Sequence, residues 1–174
     1  MCIRDRVEVV KMVEYKVLRI DVGTGSYVVE TYKAPEVLGP IDAGIIIHEK
    51  LQSWGRDVFD PSNAVIIGAG VFAGSKVFGT HRLIAIFRSP ESKGLHVSAM
   101  GGAAYRFVGC GVHAVSIEGR SAKPAIVIVK GGNQGLEGIE IRHLEFEELE
   151  KIYSGYKGKI GAYALIEYIL DNYR

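Results

Sequence analysis

The chain has 174 residues, 48% hydrophobic and 24% charged, which suits one folded domain with its own core and excludes a disordered or low-complexity chain. Lys and Arg number 21 against 20 Asp and Glu, a net charge of +1, so the basic excess of a nucleic-acid binder is missing and no nucleic-acid partner is expected. No apolar run reaches the ~18 residues of a membrane span. The N-terminus lacks the apolar stretch of a signal peptide. Cys2 and Cys110, the two cysteines, make neither a disulfide framework nor a zinc or iron–sulfur site. These features predict a cytoplasmic protein with no membrane contact. Glycine stands out at 22 of 174 residues, about 13% against a usual ~7%. Such an excess points to tight turns or to backbone approached by a ligand.

Met1–Arg6, MCIRDR, resembles the translation of a transposon-end adapter used in sequencing libraries. The expectation is that residues 1–11 are such a scar or a disordered tail, and that residues 12–174 form the domain, truncated at its C-terminal end. Tyr15–Val22 alternates apolar and polar residues and reads as a strand. Gly23-Thr24-Gly25-Ser26 is a turn, and Tyr27–Tyr32 completes a hairpin. After Gly39-Pro40, apolar residues recur at helical spacing from Ile41 to Trp54, with Asp42 placed to cap and Gly55 to terminate. Ala64–Ile67 is a short apolar strand, Gly68–Gly79 a glycine-rich loop, and Arg82–Arg88 a further strand. Leu95–Ser98 reads as a strand leading to Met100-Gly101-Gly102 and a short helix over Ala103–Val108. His113–Glu118 and Pro124–Val129 are strands, Gly131–Gly138 a flexible hairpin loop, and Ile139–Leu144 another strand. Glu145–Tyr153 is an acidic helix. Ile160–Tyr173 is an amphipathic helix with Tyr163, Ile166, Ile169 and Leu170 on one side. Strands and hairpins dominate, with a few helices inserted irregularly. That predicts an α+β fold with β-rich mixed and antiparallel sheets rather than a regular βαβ array.

Three constellations could carry chemistry. Gly68-Ala69-Gly70-Val71-Phe72-Ala73-Gly74 follows a strand and could cradle phosphate through backbone N–H groups. Its G-x-G-x-x-x-G spacing departs from the dinucleotide fingerprint, and the pattern after it reads as a strand, where that fingerprint needs a helix. Gly79-Thr80-His81-Arg82 places a guanidinium beside a glycine loop, able to hold phosphate or carboxylate, or to make a surface salt bridge. Ser98-Ala99-Met100-Gly101-Gly102 pairs glycines before a helix, which allows a large planar or anionic ligand near the backbone, or close packing. Histidines 48, 81, 96, 113 and 143 are scattered, with no metal-ligand spacing. There is no G-x-S-x-G elbow and no Walker lysine. The run Glu145, Glu147, Glu148 and Glu150 reads as a solvated face.

Taken in order, these segments resemble the N-terminal domain of the aldehyde ferredoxin oxidoreductase family. The string runs through Leu18–Val22 with Thr24-Gly25, Leu38-Gly39, Asp60-Pro61-Ser62-Asn63 and Ile66–Gly70. It continues through Ala73-Gly74, Arg82, Arg88-Ser89-Pro90, Gly101-Gly102 and Phe107-Val108-Gly109 to Ala114–Arg120 and Lys123-Pro124. No single piece is specific, but the ordered string across Tyr15–Val129 is. The resemblance implies a β-rich base for a tungsten (or molybdenum) bis-pterin cofactor. It implies the cofactor-contacting arginine at Arg82 and the pterin-approaching glycine turn at Gly101-Gly102. It also implies a magnesium ion between the pterin phosphates, held in part by a backbone carbonyl at Ala99 or Met100, where an asparagine stands in the family. Val71 stands where the family has a proline.

The same resemblance implies a whole enzyme that oxidises aldehydes to carboxylic acids with ferredoxin as electron acceptor, its 4Fe–4S ligands lying beyond this chain. The isolated chain is then expected to be inactive. Its partners would be the remaining domains of that enzyme or a partner subunit, with a homodimer as a further option. One alternative is a stand-alone subunit that completes its pterin site with a partner chain. Another is a nucleotide-binding oxidoreductase read from the Gly68 loop.

Overall fold

The first strand decides the architecture because both of its faces are apolar. In the computed structural model, which describes residues 14–173, β1 (Glu14–Asp21) buries Tyr15 and Val17 on one side and Leu18 and Ile20 on the other. A strand buried on both faces belongs in the middle of a sheet. It turns through Gly25, at φ 74°, into β2 (Tyr27–Lys33), as the hairpin signal predicts. On its other side β1 pairs in parallel with β6 (Ala114–Glu118), Val17 opposite Ala114. The expectation for residues 1–11 lies outside the described residues.

The remaining strands, β3 (Val65–Gly68), β4 (Leu83–Arg88) and β5 (Leu95–Met100), extend a six-stranded sheet in the order β2-β1-β6-β3-β4-β5. Among its pairings only β1–β6 is parallel. A separate hairpin, β7 (Ala125–Gly132) and β8 (Gly135–His143), forms a two-stranded sheet. The mixed α+β class expected from the sequence is the class observed.

Each face of the large sheet has its own cover. Helix α1 (Pro40–Lys50) packs Ala43 and Ile47 with Tyr15, Val17, Ile66 and Ile86. The β7–β8 hairpin lays Val127, Val129, Ile139 and Ile141 over Leu18, Ile20, Val112 and Val115, with Phe107 of the short helix α2 (Ala104–Val108). The hairpin sits close because three glycines let backbone meet backbone. A Cβ on Gly111 would stand 2.4 Å from the Gly135 Cα, and one on Gly131 would stand 2.4 Å from the Cys110 Cα.

Several boundaries differ from the sequence reading. Helix α1 ends at Lys50, because Gln52 adopts the left-handed conformation at φ 50°; Ser53–Gly55 is a separate 3-10 turn. Asp42 is not the N-cap. Gly39 is, and the Asp42 carboxylate reaches back from the first turn to accept the Leu38 N–H at 2.9 Å. The loop expected over Gly131–Gly138 is nearly all strand, with a register shift at Lys130/Gly131 and only Asn133-Gln134 between the strands. Two of its glycines, Gly131 and Gly135, serve contact with the Gly109–Gly111 segment rather than flexibility.

The motifs Asp60–Asn63 and Arg88-Ser89-Pro90 prove structural. The Asn63 side chain bonds the backbone N–H and C=O of Arg88 at 3.0 Å each, and donates to the Val58 carbonyl at 2.7 Å. The buried Arg88 guanidinium donates only to carbonyls, those of Ser53, Arg56 and Lys93. It thereby ties the 3-10 turn to the β4–β5 turn.

The chain closes with a helical hairpin, α3 (Phe146–Ser154) and α4 (Ala162–Asn172), in which Ile152 and Ala164 are buried.

Candidate functional site

One end of the large sheet gathers the glycine-rich segments. The register sets Gly68 of β3 opposite Ala114 of β6 and opposite Ile84 of β4, and sets Ile84 opposite Ala99 of β5. The start of α1, the loop after β3, the segment before β4 and the turn after β5 therefore emerge side by side. At Gly68 a Cβ would stand 2.7 Å from the Ala114 Cβ and 2.9 Å from the Pro40 Cβ, so glycine is what lets α1 start this close.

Beneath this end lies a buried polar floor. The Tyr15 hydroxyl donates to the Ala69 carbonyl at 2.8 Å, and its ring stacks on His113 at 5.0 Å. The Lys16 N–H donates to His113 Nδ1 at 3.0 Å, which fixes His113 as neutral with its proton on Nε2. Burial, then the Lys16 charge, pushes the His113 pKa down, in agreement with that acceptor role. Burial, with Asp42 adding, raises the Tyr15 phenol well above its ordinary range, so Tyr15 remains a donor. Sequence reasoning assigned neither residue a role here. Lys16 and His113 lie 97 positions apart and meet only through the parallel β1–β6 pairing, a crossover no local signal announces.

Above the floor, Gly70–Thr80 makes an exposed loop. The Thr80 hydroxyl sits 3.0 Å from the Phe72 carbonyl and 2.9 Å from that of Val77, and Gly74 and Gly79 take φ values of 82° and 79°. Turns rather than a helix follow β3, so the Gly68–Gly74 segment does not build a dinucleotide fold. Beside it opens a mainly apolar recess of about 430 Å3, lined by Leu38, Gly70, Val71, Phe72 and Thr80.

The two pieces of the sequence-predicted site, Arg82 and Ala99–Gly102, come together at this end. Leu83 N–H donates to the Gly101 carbonyl at 3.3 Å, and Ala104 N–H donates to the His81 carbonyl at 3.2 Å. These two bonds clamp the residues flanking Arg82 to the glycine turn. Arg82, Ala99, Gly101 and Gly102 are exposed, and Met100 is half-buried. A Cβ on Gly101 or Gly102 would meet nothing within 4 Å, so the turn borders open space. Ala99 and Met100 belong to the strand, which runs two residues past its expected end. Because β5 is an edge strand bonded only to β4, half of its backbone groups have no partner in the sheet.

Helix α2 has five residues, too short to act as an anion-binding dipole, and its Ala104 N–H is already spent on His81. What the site offers an anion is therefore the Arg82 guanidinium and bare glycine backbone. What it offers a cation is limited to edge-strand backbone, since among the described residues no His, Cys, Asp and Glu cluster could hold a metal. This set fits a phosphate-bearing planar group with a magnesium counter-ion better than it fits a directly ligated metal. Cys110 is half-buried and burial raises its thiol pKa, so it is a packing residue.

Comparison with known proteins identifies the family. The family model for the aldehyde ferredoxin oxidoreductase N-terminal domain matches residues 17–174. A glyceraldehyde-3-phosphate:ferredoxin oxidoreductase of Pyrococcus furiosus is 40% identical over 159 residues, 91% of this chain and 24% of that protein. An uncharacterised protein of Methanocaldococcus jannaschii is 36% identical over 136 residues, 78% of this chain and 19% of that protein. Among solved structures, the active-site complex BamBC of benzoyl coenzyme A reductase with 1,5-dienoyl-CoA shares the fold. Its TM-score is 0.60 at 23% identity, over 75% of this chain and 20% of that one. The chain thus spans a quarter or less of the length of the relatives it matches. Among the described residues, no helix is long and apolar enough to cross a membrane. On the family match over nearly its whole length, and on 40% identity to the Pyrococcus furiosus protein, the chain belongs to the aldehyde ferredoxin oxidoreductase family and comprises its N-terminal domain.

Proposed function

We propose that this domain is the base on which a tungsten or molybdenum bis-pterin cofactor rests in an enzyme that oxidises aldehydes to carboxylic acids. The observation that carries the reading is the clamp between His81–Leu83 and Gly101–Ala104, which sets Arg82 beside an open glycine turn. In this reading Arg82 donates to a pterin phosphate through its planar fork. Gly101 and Gly102 admit the planar group because they carry no side chain on the open side. The edge-strand backbone at Ala99 and Met100 offers a carbonyl to magnesium, a role indifferent to the loss of the family's asparagine side chain.

When bound, the metal–pterin group supplies the two-electron oxidation, with electrons leaving for ferredoxin through a 4Fe–4S cluster held elsewhere in the enzyme. The chain's own residues bind and orient. The Tyr15 hydroxyl holds the Ala69 carbonyl and the His113 carbonyl accepts from the Ala69 N–H, which fixes the first residues of the loop, while Thr80 pins that loop on itself. The isolated chain carries no cluster ligands and is inactive in this reading. The substrate is an aldehyde; the name of the Pyrococcus furiosus relative makes glyceraldehyde 3-phosphate the first aldehyde to assay in a complete enzyme.

The test uses the chain as it stands. Pyranopterin phosphate released anaerobically from a donor enzyme is titrated into the chain and followed by pterin fluorescence anisotropy. Removing a bidentate charge-assisted contact should weaken binding by roughly tenfold or more in Arg82→Ala. Gly101→Val should do the same with folding unchanged. Equal binding by parent and variants, or tight NAD or FAD binding in place of pterin, sinks the proposal. The stand-alone-subunit reading shares this site and differs only in which chain completes it.

A further inference from the structure

The C-terminal helix is amphipathic in the wrong sense for an isolated domain. Its apolar stripe should face the core. Instead Tyr163 is 75% exposed, Ile166 52% and Leu170 46%, with Ile160 just before the helix at 72%. The side turned inward is the one bearing Ala164, which is buried in the α3–α4 hairpin with Ile152. Several polar groups of the region are matched within the hairpin. Lys157 pairs with Asp171 at 2.6 Å, Lys159 pairs with Glu167, and the Tyr168 hydroxyl donates to Glu148 at 3.0 Å. The stripe on α4 therefore presents uncovered aliphatic and aromatic groups. A contiguous apolar stripe of this kind marks a protein–protein contact.

We infer that the α4 stripe of Ile160, Tyr163, Ile166 and Leu170 is the seat for the remaining polypeptide of the same enzyme, joined through an apolar helix or strand face. This rests on the family reading above, and the length of the relatives supports it. The family model reaches residue 174, so α4 is part of the family's domain. The Pyrococcus furiosus relative aligns over only 24% of its length, which leaves three quarters of that protein to be placed. The stripe lies on the terminal helical hairpin and shares no residue with the Arg82 end of the sheet, so docking and cofactor binding are separable.

The experiment co-produces the chain with a second polypeptide, the part of the Pyrococcus furiosus relative that follows its aligned segment, and measures association by affinity capture and light scattering. The parent chain should form a one-to-one complex. The double variant Ile166→Glu/Leu170→Glu should weaken it by roughly tenfold or more, while its circular dichroism matches the parent because both positions are exposed. Arg82→Ala should associate as the parent does. Absence of a parent complex overturns the inference, as does a complex that the double variant leaves intact. Equally fatal is a parent chain that forms a homodimer which the double variant abolishes, since the occupant is then a second copy. A complex that forms by way of α4 but binds no pterin leaves this inference standing and removes the cofactor reading. Pterin binding without α4-dependent association does the reverse.

Discussion

Replacing single glycines with alanine separates backbone strain from close approach, and this chain offers three graded cases. Gly101 has open space around its Cβ position and no positive φ, so Gly101→Ala should lie within about 0.5 kcal/mol of the parent. Gly74 has equally open space but φ 82°, so Gly74→Ala should cost about 1–2 kcal/mol, the left-handed penalty alone. Gly111 combines φ 76° with contacts of 2.4 Å to the Gly135 Cα and 2.5 Å to the Leu136 N. Both neighbours are backbone, so neither can swing aside. Adding an overpacking term to the same strain brings Gly111→Ala to about 2–5 kcal/mol. A loss of that size is a large part of the total stability of an ordinary domain. Urea unfolding followed by circular dichroism reads the series, and the midpoints should fall in the order Gly101→Ala, Gly74→Ala, Gly111→Ala. If Gly111→Ala unfolds with Gly101→Ala, the hairpin does not rest on the Gly109–Gly111 backbone, and the account of the second core fails.

Further outcomes follow from the buried polar groups. Arg88→Met removes the donor shared by the Ser53, Arg56 and Lys93 carbonyls. It should cost about 2–4 kcal/mol in the same unfolding assay while leaving pterin titration unchanged in the folded protein. His48 is buried, with Nδ1 2.8 Å from the Ser53 hydroxyl; burial, then the Arg88 charge, holds its pKa below the ordinary 6.5. The His113 pKa is lowered too. The unfolded chain therefore takes up these protons at a higher pH than the folded one, so stability should decline as pH drops below about 6.5. Replacing both with glutamine should flatten that slope, and an unchanged slope would refute it. Glu30 behaves oppositely. Burial disfavours its charge, but Lys50, Tyr32 and Arg19 outweigh that and bring its pKa to about 2 from 4.5. Its stabilising contribution is complete above pH 4.5 and should fade as pH falls toward 2, so Glu30→Gln should remove that part of the acid transition.

The sequence alone determined the strands and most turns, because each is written in a short-range pattern. Alternation marks β1, the Gly23–Ser26 turn sets its hairpin, and an apolar run marks β3. It also determined the family, through an ordered string of individually weak motifs, and with it Arg82 and the Gly101 turn as site candidates. Tertiary structure decided what the same residue types were for. Arg82 and Arg88 end one strand pattern, yet one is exposed while the other is buried among carbonyls. Gly101 faces empty space, whereas Gly111 and Gly131 face backbone. The stripe on α4 reads as a core face by period but lies uncovered. Periodicity reports which residues share a face. It carries no information about what meets that face, because pairings such as Lys16 with His113 are set by contacts between segments distant in sequence.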